Sequence, residues 1–123
     1  MKAVIIFGIY EGYSLSNNVD TTIRVINEDL KRILDEVEEE TEIYISGFIS
    51  QGQTIYKDIW GCPIGGETTL KYESSMNPNF IIKDEKEWKE AVITLANKLK
   101  KHFKQSTVTC EFLPSELIYL TNK

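Results

Sequence analysis

The chain has 123 residues, 41% of them hydrophobic and 27% charged, and a formal net charge of −5. That length and composition fit one globular α+β domain over residues 1–123 and exclude a disordered chain. The acidic balance argues against nucleic acid as a partner, because such proteins carry a basic footprint toward phosphate.

Met1 leads directly into Lys2 and an apolar run. No longer apolar region with a small-residue cleavage site follows, and no run approaches membrane-spanning length. A cytoplasmic protein with no membrane partner is the expectation. Two cysteines, Cys62 and Cys110, make neither a disulfide framework nor a zinc pattern, so no metal and no cofactor are expected.

Ala3 to Ile9 is a near-continuous, β-branched apolar run, which predicts a central strand. Tyr10 to Asn18 follows as a polar loop bearing Tyr10, Glu11 and Tyr13, a plausible binding edge at the end of a buried strand. From Val19 to about Glu40, Val19, Ile23, Ile26, Leu30, Ile33, Leu34 and Val37 draw one helical stripe, with Asn18 or Asp20 able to cap its start. The acidic group Glu38-Glu39-Glu40 falls where the helix dipole disfavours negative charge, so the helix is expected to end early or the group to serve a partner.

Ile43 to Ile49 alternates as a strand, with Gly47 as a bulge. Ser50 to Gln53 then either closes a hairpin onto a strand at Thr54–Trp60 or forms the irregular middle of one long bent strand. Thr68 to Glu73 alternates as a further strand. After the Met76–Asn79 loop, Asp84 and Glu87 have the spacing of a capping box. The helix they open carries Trp88, Val92, Leu95, Leu99 and Phe103 in its core stripe. Thr107 to Phe112 is the last strand, interrupted by Pro114, which suits a sheet margin.

Strand, helix, strands, helix, strand gives an α+β two-layer sandwich. It has a mainly antiparallel sheet of four to five strands with both helices on one face, βαββαβ and ferredoxin-like. In element order, length, Phe7-Gly8, Gln51-Gly52-Gln53 and Pro114 the chain resembles small ferredoxin-like bacterial proteins of uncharacterised function. That resemblance supplies no catalytic residues.

The stretch with most potential for chemistry is Thr54–Glu67, which holds Trp60, Cys62, Pro63 and three of the seven glycines. Gly-Cys-Pro-Ile-Gly-Gly reads as a shaped turn between strands, and such turns often carry function. Trp60, Cys62 and Glu67, together with Tyr10, Glu11 and Tyr13, are the candidate ligand-binding or interface residues. Nucleotide and nucleophile-elbow motifs are absent.

The favoured reading is a non-catalytic small-ligand or protein-binding domain. It would form a homodimer through the open sheet face, with Ile43, Ile45, Ile55 and Ile59 as the apolar residues of that face. A second reading is a small enzyme centred on Cys62, with Glu67, Tyr10 or His102 handling protons. A third is an acidic inhibitor or immunity-type protein that meets a basic partner through Glu38–Glu40.

Overall fold

A computed structural model describes residues 1–9, 23–77 and 83–122. Strand β1 spans Lys2–Gly8, helix α1 Ile23–Thr41, β2 Phe48–Thr54, β3 Glu67–Ser75, helix α2 Glu85–His102 and β4 Thr109–Leu113, with a 3-10 turn at Asp58–Trp60. The sheet order is β2-β3-β1-β4, and every neighbouring pair is antiparallel. The ferredoxin-like two-layer α+β arrangement expected from the sequence is the observed one. Among the described residues no helix is long and apolar enough to cross a membrane.

Strand alternation sorts the side chains by face. Ala3, Ile5 and Phe7 pair with Ser74, Tyr72 and Leu70, and all six are buried. They meet Ile26, Leu30, Ile33, Leu34 and Val37 of α1 and Trp88, Ala91, Val92, Leu95 and Leu99 of α2 in one core. Asp84 caps α2 by accepting from the Glu87 N–H at 2.8 Å. The proposed start of α1 and its cap at Asn18 or Asp20 lie outside the described residues, as does the run Phe80–Ile82.

Three expectations need correction. Ile43 and Ile45 alternate like a strand, yet β2 begins only at Phe48. Their side chains are buried in the helix-side core, and the backbone around them is held by side chains instead of a strand ladder. Tyr72 donates its hydroxyl to the Ile45 carbonyl and Ser74 to the Ser46 carbonyl, each at 2.6 Å. Gly47 precedes the strand rather than bulging it. A Cβ there would run into the Glu73 carbonyl and the Tyr72 ring.

The second correction concerns Ser50–Gln53, which lie inside β2 rather than in a hairpin turn, while Thr54–Trp60 is not a strand. An edge strand with one solvent face needs few apolar residues, so its pattern in the sequence is faint.

Third, the acidic end of α1 does not end early. The helix continues to Thr41, whose hydroxyl donates to the Val37 carbonyl at 2.7 Å. Lys98 of α2 reaches Glu40 at 2.9 Å and Glu36 at 3.7 Å, and Lys83 reaches Glu42 at 3.0 Å. Glu40 of the acidic group and its neighbours Glu36 and Glu42 are therefore answered from within the chain.

The sheet face opposite the helices carries Lys2, Lys71 and Glu73, with both lysines 3.5 Å from Glu73. Val4 and Ile6 of β1 share that face with these charges by register. Ile43 and Ile45 are absent from that face, and Ile55 and Ile59 belong to the connection between β2 and β3. The four isoleucines expected to join two sheets therefore do not form a patch on it.

Candidate functional site

A cavity of about 360 Å³ opens at one end of this second sheet face, at the small end of the usual range for ligand pockets. Its floor is sheet. Ile6 and Gly8 of β1 pair with Thr109 of β4 and Thr69 of β3, respectively, and Thr54 of β2 pairs with Glu67 of β3. Register and alternation place all six on the same face, and all six line the cavity together with Phe7 and Thr107. Among the described residues, the remaining wall comes from residues 55–66, which contribute Tyr56 and Trp60.

That connection takes its shape from three glycines with positive φ, Gly61 at 95°, Gly65 at 84° and Gly66 at 89°. Side chains at these positions would be strained. Gly61 N–H closes the 3-10 turn onto the Asp58 carbonyl at 2.9 Å, and Gly66 N–H closes the following turn onto Pro63 at 2.9 Å. Trp60 is thereby set at the lip, 66% exposed, with the Lys57 ammonium 5.3 Å from its ring centre.

Glu67 is the charged group of the site and is 8% exposed. Its Oε1 accepts from the Tyr56 hydroxyl at 3.2 Å. Burial pushes the carboxyl above its ordinary range, and the tyrosine hydrogen bond acts in the opposite direction. Beside it, the Thr54 and Thr69 hydroxyls are 2.8 Å apart. Among the described residues, none of the lining side chains is Lys, Arg or His. One buried carboxylate, a phenol and four threonines with no cationic side chain suit a ligand that brings its own positive charge.

Of the residues singled out in the sequence, Trp60 and Glu67 line this cavity. Cys62 does not: it is half-buried in the turn, and its thiol sits 3.5 Å from the Pro63 carbonyl. His102 lies on α2, where Nε2 is 3.0 Å from Asp29 of α1. That contact puts it in the helical layer. Tyr10, Glu11 and Tyr13 fall outside the described residues.

Sequence reasoning passed over Tyr56, Gly8 and the four threonines. Tyr56 lies in a stretch that alternates like a strand, and the threonines carry no motif. Only register brings them together.

The family model for SAM lyase matches residues 1–121. No curated protein matches. Among solved structures, a phage SAM lyase in the apo state superposes with a TM-score of 0.57 at 16% identity, covering 89% of this chain and 75% of that one. A phage SAM lyase in complex with S-methyl-5'-thioadenosine gives 0.55 at 16% identity, covering 89% and 76%. At that identity the superpositions speak to fold. The family match corrects the favoured expectation of a non-catalytic binding or assembly domain, along with the acidic-inhibitor alternative, and points to an enzyme. In place of a general likeness to ferredoxin-like proteins without a known function, this chain belongs to the SAM lyase family.

Proposed function

We propose that the chain cleaves S-adenosylmethionine at the bond between the sulfonium sulfur and Cγ of the methionyl group, releasing S-methyl-5'-thioadenosine. The family match over residues 1–121 carries this reading. The cavity supports it chemically, because Glu67 is buried there without a cationic side chain among the described lining residues, and the substrate brings a sulfonium and an ammonium.

A lyase adds no water, and the route that needs no base to take a Cβ proton captures Cγ within the substrate itself. A carboxylate oxygen attacks Cγ, the C–S bond breaks and its electron pair returns to sulfur. The products are a neutral thioether and a five-membered lactone that keeps its ammonium. Charge balances at +1 on both sides, and no proton moves. The site then needs no nucleophile of its own and works by orientation.

Carboxylate and sulfonium charges cancel as this ring closes. A wall poor in water favours such a step over the separated ions, and Ile6, Trp60 and the threonine methyls make that kind of wall. Trp60 offers a stacking surface for the purine.

Incubating the protein with S-adenosylmethionine and separating the products by chromatography tests the reading. Protein-dependent S-methyl-5'-thioadenosine with an equivalent of the lactone is expected. Formation no faster than in buffer alone would end it.

Self-association is a separate proposal, moved from the sheet to residues 55–66. Ile55, Ile59, Trp60 and Ile64 are 66–105% exposed on this one connection, and a second copy of the chain would take those side chains out of water.

A further inference from the structure

Gly8 marks a place where the site is tighter than its cavity outline suggests. By alternation its missing Cβ would point to the same face as Ile6, into the cavity. That position is already taken by Glu67 Oε2 from β3 and Gln105 Oε1 from the segment after α2, both too close for any real Cβ. Two oxygens from distant parts of the chain therefore converge against the bare Gly8 backbone.

Gln105 is held there deliberately by the end of α2. Its backbone N–H reaches the Lys100 carbonyl at 2.9 Å, and Lys104 before it adopts a left-handed φ of 53°, a helix-terminating geometry. Its side-chain Nε2 donates to the Phe103 carbonyl at 2.9 Å. With the amide nitrogen committed to the helix end, the amide oxygen is the atom presented at Gly8.

We infer that Glu67 and Gln105 together receive the α-ammonium of the substrate's amino-acid end, with Gln105 as a binding residue that selects for it. The inference rests on the lyase reading above. An ammonium has three N–H donors and suits a convergent carboxylate and amide oxygen. A sulfonium has no N–H, and a carboxylate against it would stabilise the charged ground state more than a transition state in which that charge disappears. Placing Glu67 at the ammonium avoids that penalty. It also anchors the amino-acid chain at its α-carbon, leaving the substrate carboxylate to fold toward Cγ.

The test compares wild type with Gln105→Met, which keeps length but loses the amide oxygen, and with Gln105→Glu, which keeps an oxygen at that place. Each is assayed on S-adenosylmethionine and on its analogue lacking the α-amino group, and binding of S-methyl-5'-thioadenosine is measured by calorimetry. The methionine variant is expected to lose about tenfold in kcat/KM on S-adenosylmethionine. Its turnover of the deaminated analogue and its affinity for S-methyl-5'-thioadenosine, which lacks the amino-acid end, should stay within about twofold. Gln105→Glu should restore most of the preference for the ammonium.

Equal losses on both substrates, no loss on either, or weakened binding of S-methyl-5'-thioadenosine would each overturn the assignment. A wild type that releases no S-methyl-5'-thioadenosine would remove the lyase reading itself. An active wild type with unmoved selectivity removes the Gln105 assignment alone.

Discussion

Tyr56 and Glu67 stand at opposite ends of the connection between β2 and β3, and the phenol of one donates to the carboxylate of the other across 3.2 Å. The bond closes the loop that carries Trp60 and sets the charged group on the cavity floor. It also opposes the burial that raises the Glu67 carboxyl.

A carboxyl raised on folding makes the folded chain hold more protons than the unfolded one between the ordinary carboxylate range and its raised value. Stability therefore falls as pH rises through that window and stays reduced above it. Glu67→Gln removes the effect. Its melting temperature is expected to exceed that of wild type at pH 7, with the two curves converging below the ordinary carboxylate range. Turnover should move the other way, with kcat/KM falling about 10–100-fold for loss of a charged hydrogen-bond acceptor. Thermal scans across pH, paired with product release, check both signs. A variant less stable than wild type at pH 7 would contradict the burial argument.

Gly8→Ala separates folding from function. The atoms an added methyl would meet are the ends of two flexible side chains, Glu67 and Gln105. They can swing away, so the cost in stability should be about 1 kcal/mol, at the low end for overpacking. Doing so moves both oxygens away from Gly8. Activity should drop more than tenfold while urea unfolding shifts little. Unchanged turnover would mean that the convergence at Gly8 does not matter for catalysis.

The fold was legible in the sequence where burial on one side wrote a period into it. The α1 and α2 stripes, the Asp84 cap and the Leu70 and Tyr72 alternation all emerged at their observed places. The middle of the chain was not, because Ile43 and Ile45 are buried with strand-like spacing while the Ile45 and Ser46 carbonyls are met by Tyr72 and Ser74. No local rule distinguishes that from a ladder. At the site, Trp60 and Glu67 drew notice from their company of glycines. Thr54, Thr69 and Thr109 are ordinary residues whose meeting depends on the register of strands far apart in sequence, and Tyr56 and Thr107 join them from segments just outside those strands.

Cys62 stood out in the sequence as a rare residue in a shaped turn. Its thiol faces the Pro63 carbonyl, and it is not among the residues lining the cavity. Cys62→Ser is expected to keep kcat/KM within about twofold of wild type. A loss beyond tenfold, in a variant of unchanged melting temperature, would return the thiol to the mechanism.

Trp60 should matter for the nucleoside and little for the fold. A side chain 66% exposed contributes little burial, so Trp60→Ala should leave unfolding within about 0.5 kcal/mol of wild type. Base stacking on an aromatic ring is worth about 1–3 kcal/mol, which corresponds to roughly 5–150-fold in affinity. Calorimetric titration with S-methyl-5'-thioadenosine reads that change directly, and the wild-type indole fluorescence should respond to the same ligand. Full affinity in the alanine variant would assign the purine to another wall.

The connection that carries Trp60 also carries Ile55, Ile59 and Ile64, exposed at 79%, 88% and 105%. Burying a large aliphatic side chain is worth about 1.5–3 kcal/mol, so three such residues could drive two copies together through this segment. On the open sheet face Val4 and Ile6 are already half-buried and stand beside Lys2, Lys71 and Glu73, which gives a weaker incentive. Ile59→Glu with Ile64→Glu should therefore shift sedimentation velocity toward the 14.2 kDa chain, whereas Lys71→Glu should leave association intact. Because the same segment bears Trp60, dissociation is expected to weaken binding of S-methyl-5'-thioadenosine as well. A wild type that sediments as a single chain at high concentration would refute self-association. An oligomer insensitive to the double substitution would place its interface elsewhere.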